Sequence, residues 1–133
     1  MILFLDANVL VYALESHPTM GIKAQTRIAT AQAASDSFMA SDLVRMECLV
    51  LPIRQGNMVL EARFNAFFTR SDVQVVGITS AVCDRATRIR AASRLKPMDS
   101  LQLAATVEHG AGLFLTADVR LASFAGLPVE ILR

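Results

Sequence analysis

The run Met1-Ile2-Leu3-Phe4-Leu5-Asp6-Ala7-Asn8 decides how the rest of the chain is read. Ile2 to Leu5 are apolar without alternation, the pattern of a strand buried on both faces. The run stops at Asp6, and a helical pattern begins at Asn8. In an open α/β sheet, ligands bind beyond the carboxyl ends of the strands. A carboxylate at that position is a candidate reaction centre. Taken alone, it is equally well explained as the cap of the following helix.

Outward from this strand the chain alternates between the two periodicities. Residues 8–14 are helical, His17-Pro18 breaks the pattern, and 20–34 resume it. Phe38-Met39-Ala40 is a short strand. Ser41 or Asp42 then caps a helix predicted to end near Leu51, because the residue before Pro52 disfavours helical backbone. Gly56-Asn57 opens a further helix to about Arg70, with Leu60, Phe64, Phe67 and Phe68 on one stripe. A strand over 73–78 is followed by a helix to about Arg94 capped by Thr79 or Ser80, and 98–109 form a helix stopped by Gly110. A strand over 113–115, a short helix over 118–124 and a strand over 129–132 complete the chain. Strands alternating with helices predict a parallel α/β sheet with helices on both faces.

With 133 residues, the chain is expected to form a single domain over 1–133 with a substantial core. Apolar residues make up 53% and mean hydropathy is +0.44, yet nothing approaches the roughly 18 uninterrupted apolar residues of a membrane span. The richest stretch, 43–53, carries Arg45 and Glu47. The excess apolar surface is instead expected to meet another protein chain. Asp6 interrupts the N-terminal run too early for a signal peptide. Cys48 and Cys83 lack metal-ligand spacing and are read as reduced, packed thiols of a cytoplasmic protein. A net charge of +1 does not by itself indicate a nucleic-acid binder.

Three further carboxylates stand out beside Asp6. Glu47 is spaced three or four residues from Leu43, Val44, Val50 and Leu51, inside an apolar stripe. A charge there should be paired, protonated or bound to a cation. The plainer alternative is an ion pair with a basic side chain such as Arg45, although i,i+2 neighbours on a helix do not face each other. Asp99 lies in a first helical turn, where the dipole alone favours an acid. Asp118 follows a strand and is explained equally well as a cap. In a doubly wound sheet all four fall on one rim. Two carboxylates about 5 Å apart repel by about 3 kcal/mol at an effective dielectric near 20, so convergence calls for a divalent cation. Hard oxygen donors with no histidine or thiolate beside them point to Mg²⁺ or Mn²⁺. His17, in a loop, and His109, at a helix end, stay outside this chemistry. Arg85, Arg88, Arg90, Arg94 and Lys96 are five of the thirteen basic residues within twelve positions, as a solvated helix face or as a cationic rim that would receive phosphates.

The segments Asp6-Ala7-Asn8, Ser41-Asp42-Leu43-Val44 with Glu47, Lys96-Pro97-Met98-Asp99-Ser100-Leu101-Gln102 and Phe114-Leu115-Thr116-Ala117-Asp118 resemble a PIN domain. More narrowly, they resemble the VapC-type ribonuclease toxins of type II toxin–antitoxin pairs. The resemblance runs from Ile2 to about Ile131. It implies a three-layer α/β/α sandwich with a mainly parallel central sheet of four to five strands. It further implies Asp6, Glu47, Asp99 and Asp118 as the catalytic, metal-binding acids, with Asn8 and Thr116 orienting water or substrate. Mg²⁺ (or Mn²⁺) is the implied cofactor and RNA the implied substrate, cleaved by phosphodiester hydrolysis. The implied partners are a second copy of the chain, as a homodimer, and an antitoxin whose C-terminal segment crosses an apolar groove. Pro52 departs from the pattern and predicts a shortened or kinked helix beneath Glu47. Two other readings compete: a non-catalytic PIN-like protein- or RNA-binding module, and a phosphoacceptor receiver domain, which also sets acids at strand ends. The second usually has a strand-end lysine, whereas Lys96 here precedes a helix.

Overall fold

The first strand, β1 (Ile2–Leu5), lies at the centre of the sheet, and that position explains its continuous apolar run: Leu3, Phe4 and Leu5 are all buried. The computed structural model describes residues 1–133. From β1, α1 (Ala7–Leu14) and α2 (Gly21–Ala33) lead to β2 (Ser37–Ser41), and α3 (Asp42–Arg54) and α4 (Met58–Phe68) lead to β3 (Val73–Val76). α5 (Ser80–Ala91) and α6 (Pro97–Glu108) then return the chain to β4 (Leu113–Thr116). A short 3-10 helix (Val119–Ser123) connects it to β5 (Val129–Ile131).

The five strands follow the order β3-β2-β1-β4-β5, and every pairing is parallel. The first two crossovers step outward from β1 in one direction, and the third jumps back across it. Right-handed crossovers therefore put α1 to α4 on one face and the mutually packed α5 and α6 on the other. The order reverses between β1 and β4, which opens a crevice beyond their carboxyl ends. Beneath it, Phe4 and Phe114 sit opposite one another in register with rings stacked 5.3 Å apart. No helix is long and apolar enough to cross a membrane.

Three local expectations are corrected. Pro52 does not end its helix, which continues to Arg54. The stripe Val44, Cys48 and Pro52, at i, i+4 and i+8, is the buried face of α3, so packing holds the last turn helical. Proline there withholds only one N–H from the ladder, and Gln55 N–H to the Leu51 carbonyl (2.9 Å) with Asn57 N–H to the Pro52 carbonyl (2.9 Å) closes the end. Cys83 is exposed, so of the two thiols only Cys48 is packed. The helix expected to reach Arg94 stops at Ala91, and Ser93 Oγ donates to the Ile89 carbonyl (2.6 Å) and accepts the Leu95 N–H (3.3 Å). Arg94 thus joins Lys96 in the loop, where Lys96 is expected, rather than standing on the α5 face.

Candidate active site

Asp6 leaves the end of β1 with its N–H bonded to the Leu115 carbonyl (3.0 Å), so the backbone itself sets it against β4. Its side chain serves both roles suggested by the sequence. Oδ1 accepts the Ala7 N–H (2.8 Å) as the cap of α1, and Oδ2 accepts the Thr116 hydroxyl (2.7 Å) from the end of β4. Thr116 is fully buried and its hydroxyl is saturated: besides donating to Asp6 it accepts Asn8 Nδ2 (3.2 Å) and the Asp118 N–H (3.1 Å). Asn8 Oδ1 accepts the Ala117 N–H (3.0 Å). Asp6, Asn8 and Thr116 form one network that ties β1, α1 and β4 together at the crevice.

Thr116→Val is expected to cost about 2 kcal/mol of stability, since it keeps the shape but strips three partly buried groups of their partner. It should also push the Asp6 carboxyl further up, because the Thr116 hydrogen bond holds it down. Urea denaturation and an NMR titration of the Asp6 carboxyl measure both effects. Unchanged values in the two would remove the network.

Glu47 does not lie in a buried apolar stripe. It is exposed, as are Val50 and Leu51, because the face of α3 that packs inward is Val44, Cys48 and Pro52. Nor does Arg45 pair with it; Arg45 Nη2 is 3.6 Å from Asp42 Oδ1. Glu47 is instead held from α6. Gln102 Nε2 donates to Glu47 Oε1 (3.1 Å), and Gln102 Oε1 accepts the hydroxyl of Ser41 (2.5 Å), which also caps α3 by accepting the Val44 N–H (3.1 Å). Asp99 lies one turn before Gln102 on α6, and Asp118 caps the 3-10 helix after β4.

The acids feel one another. Burial pushes the Asp6 carboxyl from 3.8 up to about 6, with the charges of Glu47 and Asp99 adding to the rise and the bonds from Thr116 and Ala7 opposing it. Partial desolvation likewise raises Glu47, opposed by Gln102 and reinforced by Asp99. Desolvation raises Asp99 as well; Asp118 adds to this, while Arg120 and Lys96 oppose it. Asp118 moves the other way, because Arg120 hydrogen-bonds to it. Carboxylates from β1, α3 and α6 thus share one field, and the fourth is neutralised by an arginine.

No three Asp, Glu, His or Cys side chains close into a ready-made cage. Mg²⁺ does not need one, because it keeps several waters and takes one or two carboxylates. The donors facing the crevice are hard oxygens, and the Cys48 thiol is pushed up to about 12, chiefly by burial, so it stays protonated. The set suits a hard divalent cation. The basic residues lie alongside. A cavity of about 740 Å³ between α5, α6 and the chain after the 3-10 helix is lined by Arg85, Arg88, Ile89, Leu95 and Phe124 among others. It adjoins one of about 270 Å³ bordered by Arg94, Lys96, Asp99 and Arg120, and Ser93, Leu95 and Ser123 line both. Arg85 is engaged by Glu108 (2.6 Å) and Arg90 by the Leu95 carbonyl (3.3 Å). Arg88, Arg94 and Lys96 form no ion pair.

Sequence reasoning did not assign roles to Gln102 and Arg120. Gln102 was findable as the i+3 neighbour of Asp99 on one helix face. Arg120, two residues after an acid in a short turn, carried no comparable signal.

A five-stranded parallel sheet with acids gathered at its switch point defines a class of α/β protein whose work is done at the carboxyl edge of the strands. Within that class the chain belongs to the PIN domain family, whose model it matches over residues 3–127. Its fold is that of VapBC2 from Rickettsia felis bound to a DNA fragment from their promoter (TM-score 0.81, 16% identity, 100% of each chain covered). It is also that of a toxin–antitoxin complex from Klebsiella pneumoniae (TM-score 0.76, 19% identity, 98% of this chain and 97% of that one). VapC20 of Mycobacterium tuberculosis, a sarcin–ricin loop cleaving toxin, is similar as well (TM-score 0.70, 16% identity, 95% and 98% covered). Comparison with curated proteins gives no match.

Proposed function

We propose that this chain is a Mg²⁺- or Mn²⁺-dependent endoribonuclease, the toxin component of a VapBC-type toxin–antitoxin pair acting in the cytoplasm. One feature supports the proposal above others: Asp6, at the switch-point crevice, is raised by burial and by the charges of Glu47 from α3 and Asp99 from α6, and Glu47 is raised in turn by Asp99. Structural proteins have little reason to gather acids that only partly find cationic partners, whereas metal-assisted hydrolysis requires such a cluster. When bound, the ion would supply an acidified water and neutralise charge on the scissile phosphate. Asp6 and Asp99 are the direct ligands in this reading, with Glu47 and Asp118 completing the site. Thr116 and Asn8 orient the Asp6 carboxylate, and Gln102 orients Glu47. RNA as substrate follows from the family and from the likeness to a toxin that cleaves the sarcin–ricin loop. The test is cleavage of single-stranded and hairpin RNA with Mg²⁺ or Mn²⁺ against excess EDTA. Cleavage that persists in EDTA, or none with either ion, overturns the proposal.

An acidic crevice repels phosphate, so cations must receive the backbone. Arg88, Arg94 and Lys96 are free for that task along the two adjoining cavities. Arg88→Glu and Arg94→Glu should each weaken RNA binding and flatten its salt dependence by about 0.7 in the log–log slope for a single strand. Fluorescence anisotropy over a salt series reads this, and an unchanged slope excludes the residue from the RNA track.

Partners follow from what the fold leaves uncovered. Met46, Val50, Leu51 and Ile53 on α3, with Met58 and Val59 on α4, are exposed apolar side chains on consecutive helices. Such a surface suits an antitoxin segment and a second copy of the chain, as a homodimer. The alternative of a non-catalytic PIN-like binding module draws on the arginine clamp at Asp118 and the lack of a ready-made cage. The cleavage assay separates the two.

A further inference from the structure

We propose that Arg120 is the acidic site's own counter-cation, holding Asp118 and Asp99 in the metal-free protein and giving way when a divalent cation enters. This rests on the reading of the crevice as a metal site. Arg120 Nε lies 2.9 Å from Asp118 Oδ1 and 3.1 Å from Oδ2, and Nη2 bonds closely to Oδ2. The same Nη2 is 3.8 Å from Asp99 Oδ2. One guanidinium therefore spans two carboxylates brought from different elements, the first turn of α6 and the end of β4. It does electrostatically what a metal ion there would do, with half the charge.

The arrangement makes competition unavoidable. Asp118 Oδ1 also accepts the Arg120 backbone N–H (3.0 Å), so both carboxylate oxygens already have partners. A cation that takes Asp118 must displace the guanidinium, while the backbone bond still positions the acid. Displacement is easy from the arginine's side. The Arg120 side chain is 57% exposed, and exposed ion pairs are weakly held. The released side chain stays beside Arg94 and Lys96, which line the same small cavity. The proximity of Arg120 to a metal ligand is thus a threshold: ion binding has to exceed an internal competitor before the site fills.

The test is calorimetric titration of the full chain with Mn²⁺. Arg120→Gln should bind the ion about two- to fivefold more tightly than the unmodified chain, the size expected for releasing an exposed charge pair. Arg120→Lys should fall between them, because an ammonium keeps the charge without the bidentate fork. In parallel, the Arg120 Nε–H resonance should move from its hydrogen-bonded position as diamagnetic Mg²⁺ saturates the unmodified protein. Equal or weaker Mn²⁺ affinity in Arg120→Gln, or an unmoved resonance at saturation, overturns the inference while leaving the nuclease reading intact. If the unmodified chain binds neither ion but Arg120→Gln does, the competitor role is supported. Failure of both to bind sinks the inference and the metal site together.

Discussion

Asp6→Asn and Asp99→Asn should each lower divalent-ion-dependent RNA cleavage by about a thousandfold or more while leaving the chain folded. The substitution separates charge from structure. At position 6 the asparagine oxygen can still accept the Ala7 N–H, so α1 keeps its cap, and the Thr116 hydroxyl, whose oxygen already accepts from Asn8 and Asp118, loses its acceptor at a cost of about 1 kcal/mol. What disappears is the negative charge a cation needs. At position 99 no cap is at stake, since the N-terminal residue of α6 makes no side-chain capping bond. There the structural loss is the interaction of a carboxylate with the helix dipole, about 0.3–1 kcal/mol, together with its exposed pairing to Arg120 at 3.8 Å. Cleavage rate and urea midpoint, measured on the same preparations, distinguish a chemical defect from an unfolded protein. Full activity in both variants would remove the acidic crevice as the reaction centre.

The elements that carry this site were legible because strong local patterns and global topology agree. The uninterrupted Leu3-Phe4-Leu5 run announced a central strand, and a central strand in a doubly wound sheet puts the next polar residue at the crevice. The parallel sheet followed from that logic, as did the choice of Asp6 and Asp118 as candidates, whereas Asp99 was singled out in a first helical turn. Where reading failed, two rules competed at one position. Pro52 obeys the core stripe Val44–Cys48–Pro52 over the local penalty of proline in a helix. Glu47 has apolar neighbours in sequence, but three and four residues away on a helix can mean the exposed flank as well as the core, and Val50 and Leu51 face outward with it. Gln102 bonds to a serine 61 residues away, a contact that only the juxtaposition of β2 and α6 creates. The Arg120 clamp depends on a rotamer, and no periodicity encodes that.

Stability of the metal-free protein should fall by about 2 kcal/mol between pH 4 and pH 7 on account of Asp6 alone, and Asp6→Asn should remove that slope. Burial raises the Asp6 carboxyl from 3.8 to about 6, which strengthens proton binding in the folded state roughly a hundredfold. A group whose folded value is raised stabilises the protein when protonated. That contribution is complete below 3.8 and is lost as pH rises through about 6. Glu47 and Asp99 are raised and act in the same sense, whereas Asp118 and Asp72, lowered by their arginine partners, act in the opposite one. Only the difference between the original chain and Asp6→Asn isolates the buried acid. Urea unfolding in EDTA across this range measures it, and parallel curves for the two proteins would show that Asp6 ionises without cost. Mg²⁺ inverts the preference, because an ion binds the ionised carboxylate and stabilises the folded state by mass action. The stabilisation by Mg²⁺ should therefore be large at pH 7 and small at pH 5, and should be absent from Asp6→Asn. A buried acid that destabilises its own fold at neutral pH is explicable if a cation normally offsets that cost, and the ion's effect on the unfolding curve tests that link without any RNA.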